Sequence, residues 1–275
     1  MSRVLVDGVR YEVRVGGSGP ALLLLHGFTG RSAVWAPFLP ALRRSMTTIQ
    51  VDLLGHGLSD SPADPARHAV ERQAADLAQI CRRVTDGPVS VLGYSFGARV
   101  ALALALIEPS VVRCVVLESP SAGMAGLIER EARRAADVRI ASDIERDGIR
   151  AFVEHWEALP LFALQAALRP SVRARLHDQR LRNNPAALAA SLRGAGQGAM
   201  NPLHDKLGEI RVPTLVLVGA LDPARARADL VAAQIPDARR TEIPGVGHTP
   251  HLESPASFRA AVLTFLNATN PQEIH

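Results

Sequence analysis

One stretch limits the fold of this chain more than any other: Leu92-Gly93-Tyr94-Ser95-Phe96-Gly97-Ala98-Arg99. The four residues before Gly93, Val89-Ser90-Val91-Leu92, are short, β-branched and apolar, the pattern of a buried strand. Val100 to Ile107 is apolar and rich in Ala and Leu, which predicts a buried helix ending before Pro109. A strand that becomes a helix within so few residues must bend sharply. Side chains at positions 93 and 97 would crowd that bend, and glycine stands at both. The bend lifts the Ser95 hydroxyl above the sheet edge. It also places the Phe96 N–H at a helix N-terminus, where a developing negative charge is stabilised.

The rest of the chain supplies the sheet that this bend requires. Val4-Leu5-Val6 and Tyr11 to Val15 flank Asp7-Gly8, the sequence of a tight hairpin. Ala21 to Leu25 is wholly apolar and predicts a central strand. Thr47 to Asp52, Val111 to Leu117, Val212 to Val218 and Arg240 to Ile243 read as further strands. Helical patterns over Pro65 to Val84, Ala224 to Gln234 and Pro255 to Leu266 alternate with them. Ser32 is placed to cap a helix carrying Val34, Trp35, Phe38 and Leu39. Strand–helix units of these lengths imply parallel strands joined by right-handed crossovers. From Ser119 to Leu207 the strand signal disappears, and Ala, Arg and Leu recur at helical spacing. The organisation predicted is a mostly parallel, twisted α/β sheet over residues 1–118 and 208–275, with a helical cap over 119–207. Asn267 onward reads as a frayed tail.

A serine hydroxyl is a poor nucleophile and a poor base until a histidine takes its proton, and an acid must orient that histidine. Asp222 follows one strand directly, and His248 lies in the Gly-rich loop after the next. Both therefore point to the same sheet edge as Ser95. Ser95, Asp222 and His248 are the predicted triad, with His251 and His204 as competing imidazoles. His26-Gly27-Phe28-Thr29-Gly30 also follows a central strand. The backbone N–H groups of Phe28 and Phe96 are the predicted oxyanion donors. His26 is a candidate substrate contact, although packing within its loop is the preferred reading.

These motifs resemble the α/β-hydrolase fold across nearly the whole chain. The resemblance rests on Leu25-His26-Gly27-Phe28, Asp52-Leu53-Leu54-Gly55-His56-Gly57, Gly93-Tyr94-Ser95-Phe96-Gly97 and Gly245-Val246-Gly247-His248. Such motifs define a fold and a triad but not a reaction. Several finer segments resemble the menaquinone-pathway lyases of this fold, the 2-succinyl-6-hydroxy-2,4-cyclohexadiene-1-carboxylate synthases. They are His26-Gly27-Phe28-Thr29-Gly30, Arg99 after the bend, Leu117 to Gly123, Trp156 to Phe162 and Leu181-Arg182-Asn183-Asn184. This resemblance implies elimination of pyruvate from a tricarboxylate small molecule without a cofactor or metal, the triad acting as a base. It implies carboxylate contacts at Arg99, Arg133 and Arg182, in a pocket lined by Tyr94 and Trp156. Ala98 and Leu54 depart mildly from the family pattern. Met200-Asn201-Pro202-Leu203-His204 replaces the family's Gln-Pro-Ser-Leu-Trp. The alternatives are a serine carboxylesterase or a C–C-bond hydrolase on the same fold, or a receptor that has no use for a triad.

The formal charge of +4 invites a nucleic-acid reading, but 30 of the 31 basic residues are arginines scattered among acids. No basic face is concentrated, and nucleic-acid binding is not expected. Cys81 and Cys114 fall in predicted core elements and are expected reduced. The N-terminus lacks a long apolar segment, and the longest apolar run is too short to span a bilayer. The expectation is a cytoplasmic monomer.

Overall fold

The computed structural model describes residues 2–269. Among these residues eight strands form one sheet in the order β1-β2-β4-β3-β5-β6-β7-β8. They are β1 (Ser2–Val6), β2 (Val9–Gly17), β3 (Ala21–Leu25), β4 (Thr47–Val51), β5 (Val89–Tyr94), β6 (Val112–Glu118), β7 (Thr214–Gly219) and β8 (Ala238–Ile243). β2 runs antiparallel to β1 and β4, and every other neighbouring pair is parallel. Asp7 and Gly8 turn the β1–β2 hairpin with positive φ at both positions, the geometry that matches strand twist.

Nine helices accompany the sheet among the described residues: α1 (Leu39–Leu42), α2 (Val70–Val84), α3 (Phe96–Ile107), α4 (Leu127–Glu157), α5 (Pro170–Leu181), α6 (Pro185–Ala195), α7 (Arg225–Gln234), α8 (Pro250–Glu253) and α9 (Pro255–Thr269). β3 shows why the sheet needs helices on both faces. Leu23 and Leu25 join the core beneath α2 and α3, whereas Leu22 and Leu24 join the core with Trp35, Phe258 and Phe265. Alternation along a strand sends successive side chains to opposite faces, so an all-apolar strand must be covered twice. Burying each of these leucines contributes about 1.5–3 kcal/mol.

Between β6 and β7 the described residues form helices and no strand. α4 is interrupted at Gly148, whose φ of 81° and ψ of 174° are not helical. α6 packs against α4 through Leu188, Ile144, Phe152 and Val153. The helix expected after Ser32 is only a short turn over Ser32–Trp35, with α1 following separately. Pro37 and Pro40 interrupt the segment, and the Ser32 N–H donates to Asp52 Oδ1 at 2.7 Å. At the other end α9 continues to Thr269 through the start of the expected frayed tail, and the remainder of that tail lies outside the described residues. Both cysteines are free and buried.

Candidate active site

β5 ends at Tyr94 and α3 begins at Phe96, so Ser95 alone makes the turn. Its φ of 49° and ψ of −102° lie in the left-handed half of conformational space, at a cost of about 1–3 kcal/mol. The surroundings hold it there. The Ser95 N–H donates to the Glu118 carbonyl at 2.9 Å, and the Ser95 carbonyl accepts from the Arg99 N–H at 3.2 Å. A Cβ at Gly93 would lie 2.4 Å from the Gly97 carbonyl oxygen, and one at Gly97 would lie 2.5 Å from that of Leu25. The bend therefore requires both glycines.

Asp222 lies just beyond β7 and His248 beyond β8, at the carboxyl edge that carries Ser95. His248 Nε2 is 3.1 Å from Ser95 Oγ, and His248 Nδ1 is 2.9 Å from Asp222 Oδ2. Burial pushes the Asp222 carboxyl toward its neutral form. The His248 hydrogen bond and charge outweigh burial, helped by donation from the Ala224 N–H, and hold Asp222 below the usual carboxylate range. Asp222 is therefore ionised and accepts from His248 Nδ1–H. This leaves Nε2 as the nitrogen that can take a proton beside Ser95. The competing imidazoles are elsewhere. His204 begins a separate short turn, and buried His251 pairs with Glu118 at 2.8 Å.

Phe28 and Phe96 line the same cavity as Ser95 and His248. Among the described residues their backbone N–H groups donate to no acceptor within the protein. Phe96 also opens the first turn of α3, where the helix dipole favours negative charge. Tyr94 and Trp156 line the cavity too. The Tyr94 ring lies 5.7 Å from that of His248, and Trp156 meets Phe28 edge-on at 5.4 Å.

The three predicted arginines part company. Arg99 lines the cavity, is 8% exposed and has no carboxylate partner. Its Nη1 donates to the Ala195 carbonyl at 2.6 Å and lies 3.5 Å from Met200 Sδ, so the divergent segment starting at Met200 packs on this guanidinium. Burial, reinforced by the charge of Arg133, pushes the Arg99 pKa down to about 10. Arg133 lines the cavity from α4 and pairs with Asp137 at 2.8 Å. Arg182 does not reach this cavity. It lines a separate cleft with Arg31 and Arg175, because it lies two residues beyond Arg180, on the opposite side of the helical turn.

His26 is likewise no substrate contact in this geometry. It is fully buried, its Nε2 accepts the Leu53 N–H at 3.0 Å, and its Nδ1 donates to the Gly27 carbonyl at 2.8 Å. Both ring nitrogens are occupied in joining two loops.

Several residues emerge only from the structure. Arg180 is buried beside the site, bonded to Glu157 and Gln165, and lies over the Phe162 ring at 5.4 Å. Its signal was its spacing from Leu176, which puts both on the buried face of α5. Glu253 holds the residues on either side of His248, accepting the Gly247 N–H at 2.6 Å and the Thr249 N–H at 3.0 Å. Arg227 and Gln197 also line the cavity. Among the described residues no group of three or more His, Cys, Asp or Glu is arranged to hold a metal ion, and no helix is long and apolar enough to cross a membrane.

A serine raised on a strand-to-helix bend, with an acid and a histidine after later strands of a mostly parallel sheet, defines a class. The chain belongs to the α/β-hydrolase-fold family, which it matches over residues 20–255. It is 39% identical to a Bacillus subtilis protein provisionally named 2-succinyl-6-hydroxy-2,4-cyclohexadiene-1-carboxylate synthase, over 95% of this chain and 96% of that one. It is 30% identical to the 2-(acetamidomethylene)succinate hydrolase of Mesorhizobium japonicum, over 97% and 95% of the two chains. Among solved structures, MenH from S. aureus superposes with a TM-score of 0.90 at 32% identity, covering 94% of this chain and 98% of that one.

Proposed function

We propose that this chain is a carbon–oxygen lyase of menaquinone biosynthesis. It converts 2-succinyl-5-enolpyruvyl-6-hydroxy-3-cyclohexene-1-carboxylate to 2-succinyl-6-hydroxy-2,4-cyclohexadiene-1-carboxylate and pyruvate. The observation that carries this reading is Arg99, a guanidinium in the cavity of Ser95 and His248 that is buried with no carboxylate in contact. An unpaired buried charge is costly, and an anionic substrate offsets that cost. Similarity to the named synthases supports the choice of substrate.

In this mechanism His248, linked to Ser95, removes the ring proton next to the succinyl ketone. Negative charge moves onto the ketone oxygen, which the Phe28 and Phe96 N–H groups stabilise. The electrons then form the ring's second double bond as the C–O bond to the enolpyruvyl group breaks. The departing enolate takes a proton to become pyruvate. Asp222 stabilises the imidazolium throughout, and the helices between β6 and β7 act as a cap over residues 119–207. The substrate is a free small molecule, and no metal or cofactor takes part.

A hydrolase acting through Ser95 as a covalent nucleophile is the second reading. The relative named as a hydrolase of a succinate derivative favours it. One experiment separates the two. Incubation with the enolpyruvyl substrate should release pyruvate, measured by coupled NADH oxidation, without an acyl-enzyme burst. Efficient burst cleavage of p-nitrophenyl esters, with no pyruvate released, would replace the lyase by the hydrolase.

A further inference from the structure

A third guanidinium faces the catalytic cavity. Arg227 stands in the first turn of α7, on the chain that leaves Asp222. Its Nη1 donates to Gln197 Oε1 at 3.1 Å, a neutral acceptor, and it makes no ion pair among the described residues. Arg99 likewise spends its hydrogen bond on a neutral carbonyl. Arg133 differs, since Asp137 lies against it. The cavity therefore holds two guanidinium charges that no carboxylate contacts, and Arg99 senses the charge of Arg227 as it does that of Asp137, which is paired with Arg133. A single carboxylate can balance only one of them. Gln197 lies on the segment that returns from α6 toward β7, so this second charge sits where the helical insertion meets the sheet.

We propose that Arg227, oriented by Gln197, is a second carboxylate seat that makes the cavity selective for ligands bearing two or more carboxylates. Arg99 takes one carboxylate near Ser95, and Arg227 takes another on the α7 side. The inference deepens the lyase reading by giving a second substrate carboxylate its partner. The seat itself follows from the geometry and can be tested without turnover.

The test is binding of succinate and acetate to the full-length protein, by calorimetry and by the fluorescence of Trp156 in the cavity wall. The wild type should bind succinate at least about tenfold more tightly than acetate, the effect of one added charge-assisted pair. Arg227→Gln should reduce that preference to about threefold or less while leaving acetate affinity in place. Gln197→Glu is the decisive variant. It keeps the bond to Arg227 but supplies a resident carboxylate, so succinate preference should fall as far with no loss of thermal stability. If the bond were only structural, Gln197→Glu would leave the preference unchanged. An unchanged succinate-to-acetate ratio in both variants, or no preference in the wild type, overturns the proposal. Pyruvate release by the wild type is scored separately. Succinate preference without pyruvate release removes the lyase and leaves the seat, and pyruvate release without succinate preference does the reverse.

Discussion

His56 should make this protein's stability fall steeply with acid. The ring is buried among His26, Phe28 and Phe96, at centroid distances of 5.1, 5.5 and 5.8 Å. Its Nδ1 donates to the Leu54 carbonyl at 3.0 Å, and its Nε2 has no partner. A second proton would be buried on that bare nitrogen. Burial, with the nearby His26, lowers its pKa from 6.5 to about 3. Between those values the unfolded chain binds a proton that the folded chain refuses, so stability rises with pH and is lost as pH falls below about 6.5. The gap corresponds to about 5 kcal/mol at full titration, and about 2 kcal/mol is already lost by about pH 5. That is a large share of a typical total of about 5–15 kcal/mol. Burial lowers His26 and His68 as well, so part of the acid sensitivity is theirs. The assay is urea unfolding of wild type and His56→Gln by circular dichroism, from about pH 7.5 to about pH 5 at fixed ionic strength. The stability difference between them should change by about 2 kcal/mol in favour of the variant as pH falls. Parallel profiles, agreeing within about 0.5 kcal/mol, would refute the argument that this ring stays neutral in the fold.

Three further outcomes follow from the site. Ser95→Ala and His248→Ala should each remove most activity with the fold intact, and the double variant should lose little more, since triad members act as a unit; additive losses in steady-state kinetics would remove the triad from the mechanism. Arg99→Met should weaken binding of the anionic substrate by about 2–5 kcal/mol, read as a higher KM and a lower kcat, yet leave the melting temperature equal or higher because an unpaired buried charge is gone. Gly97→Ala should cost at least about 2 kcal/mol and most activity, because its Cβ meets the Leu25 carbonyl; a stable, active variant in denaturation and turnover assays would show that the bend can relax.

The bend and the strands were readable because each imposes a local pattern. Gly93 and Gly97 stand where no side chain fits, and Ala21–Leu25 is apolar on both faces. The order Ser95, Asp222, His248 was readable because parallel strands end on one edge. The arginines were harder. α5 mixes Arg, Leu, His and Ala around its circumference, so the spacing of Arg180 from Leu176 is its one cue for turning inward, and nothing local marks Arg182 as turned outward. Nothing in the sequence around Arg227 marks it as a cavity residue, since only the fold brings Gln197 against it. Glu253 holds its loop through backbone amides, which leave no side-chain pattern in the sequence. The helix expected at Ser32 failed for a local reason, the two prolines that follow.

Ser95 and His248 touch across 153 positions of chain. A ribosome releases the bend, strands β3 to β6 and the cavity-lining Arg99 and Arg133 well before it releases the imidazole that meets Ser95. Synthesis proceeds from the N-terminus at about 5–20 residues per second. Throughout elongation the nascent chain therefore carries a serine with no partner to take its proton. β8 is the last strand, at the sheet's edge, and its docking brings His248 into place. The contact between Ser95 and His248 therefore forms only once β8 and the loop that follows it have been made.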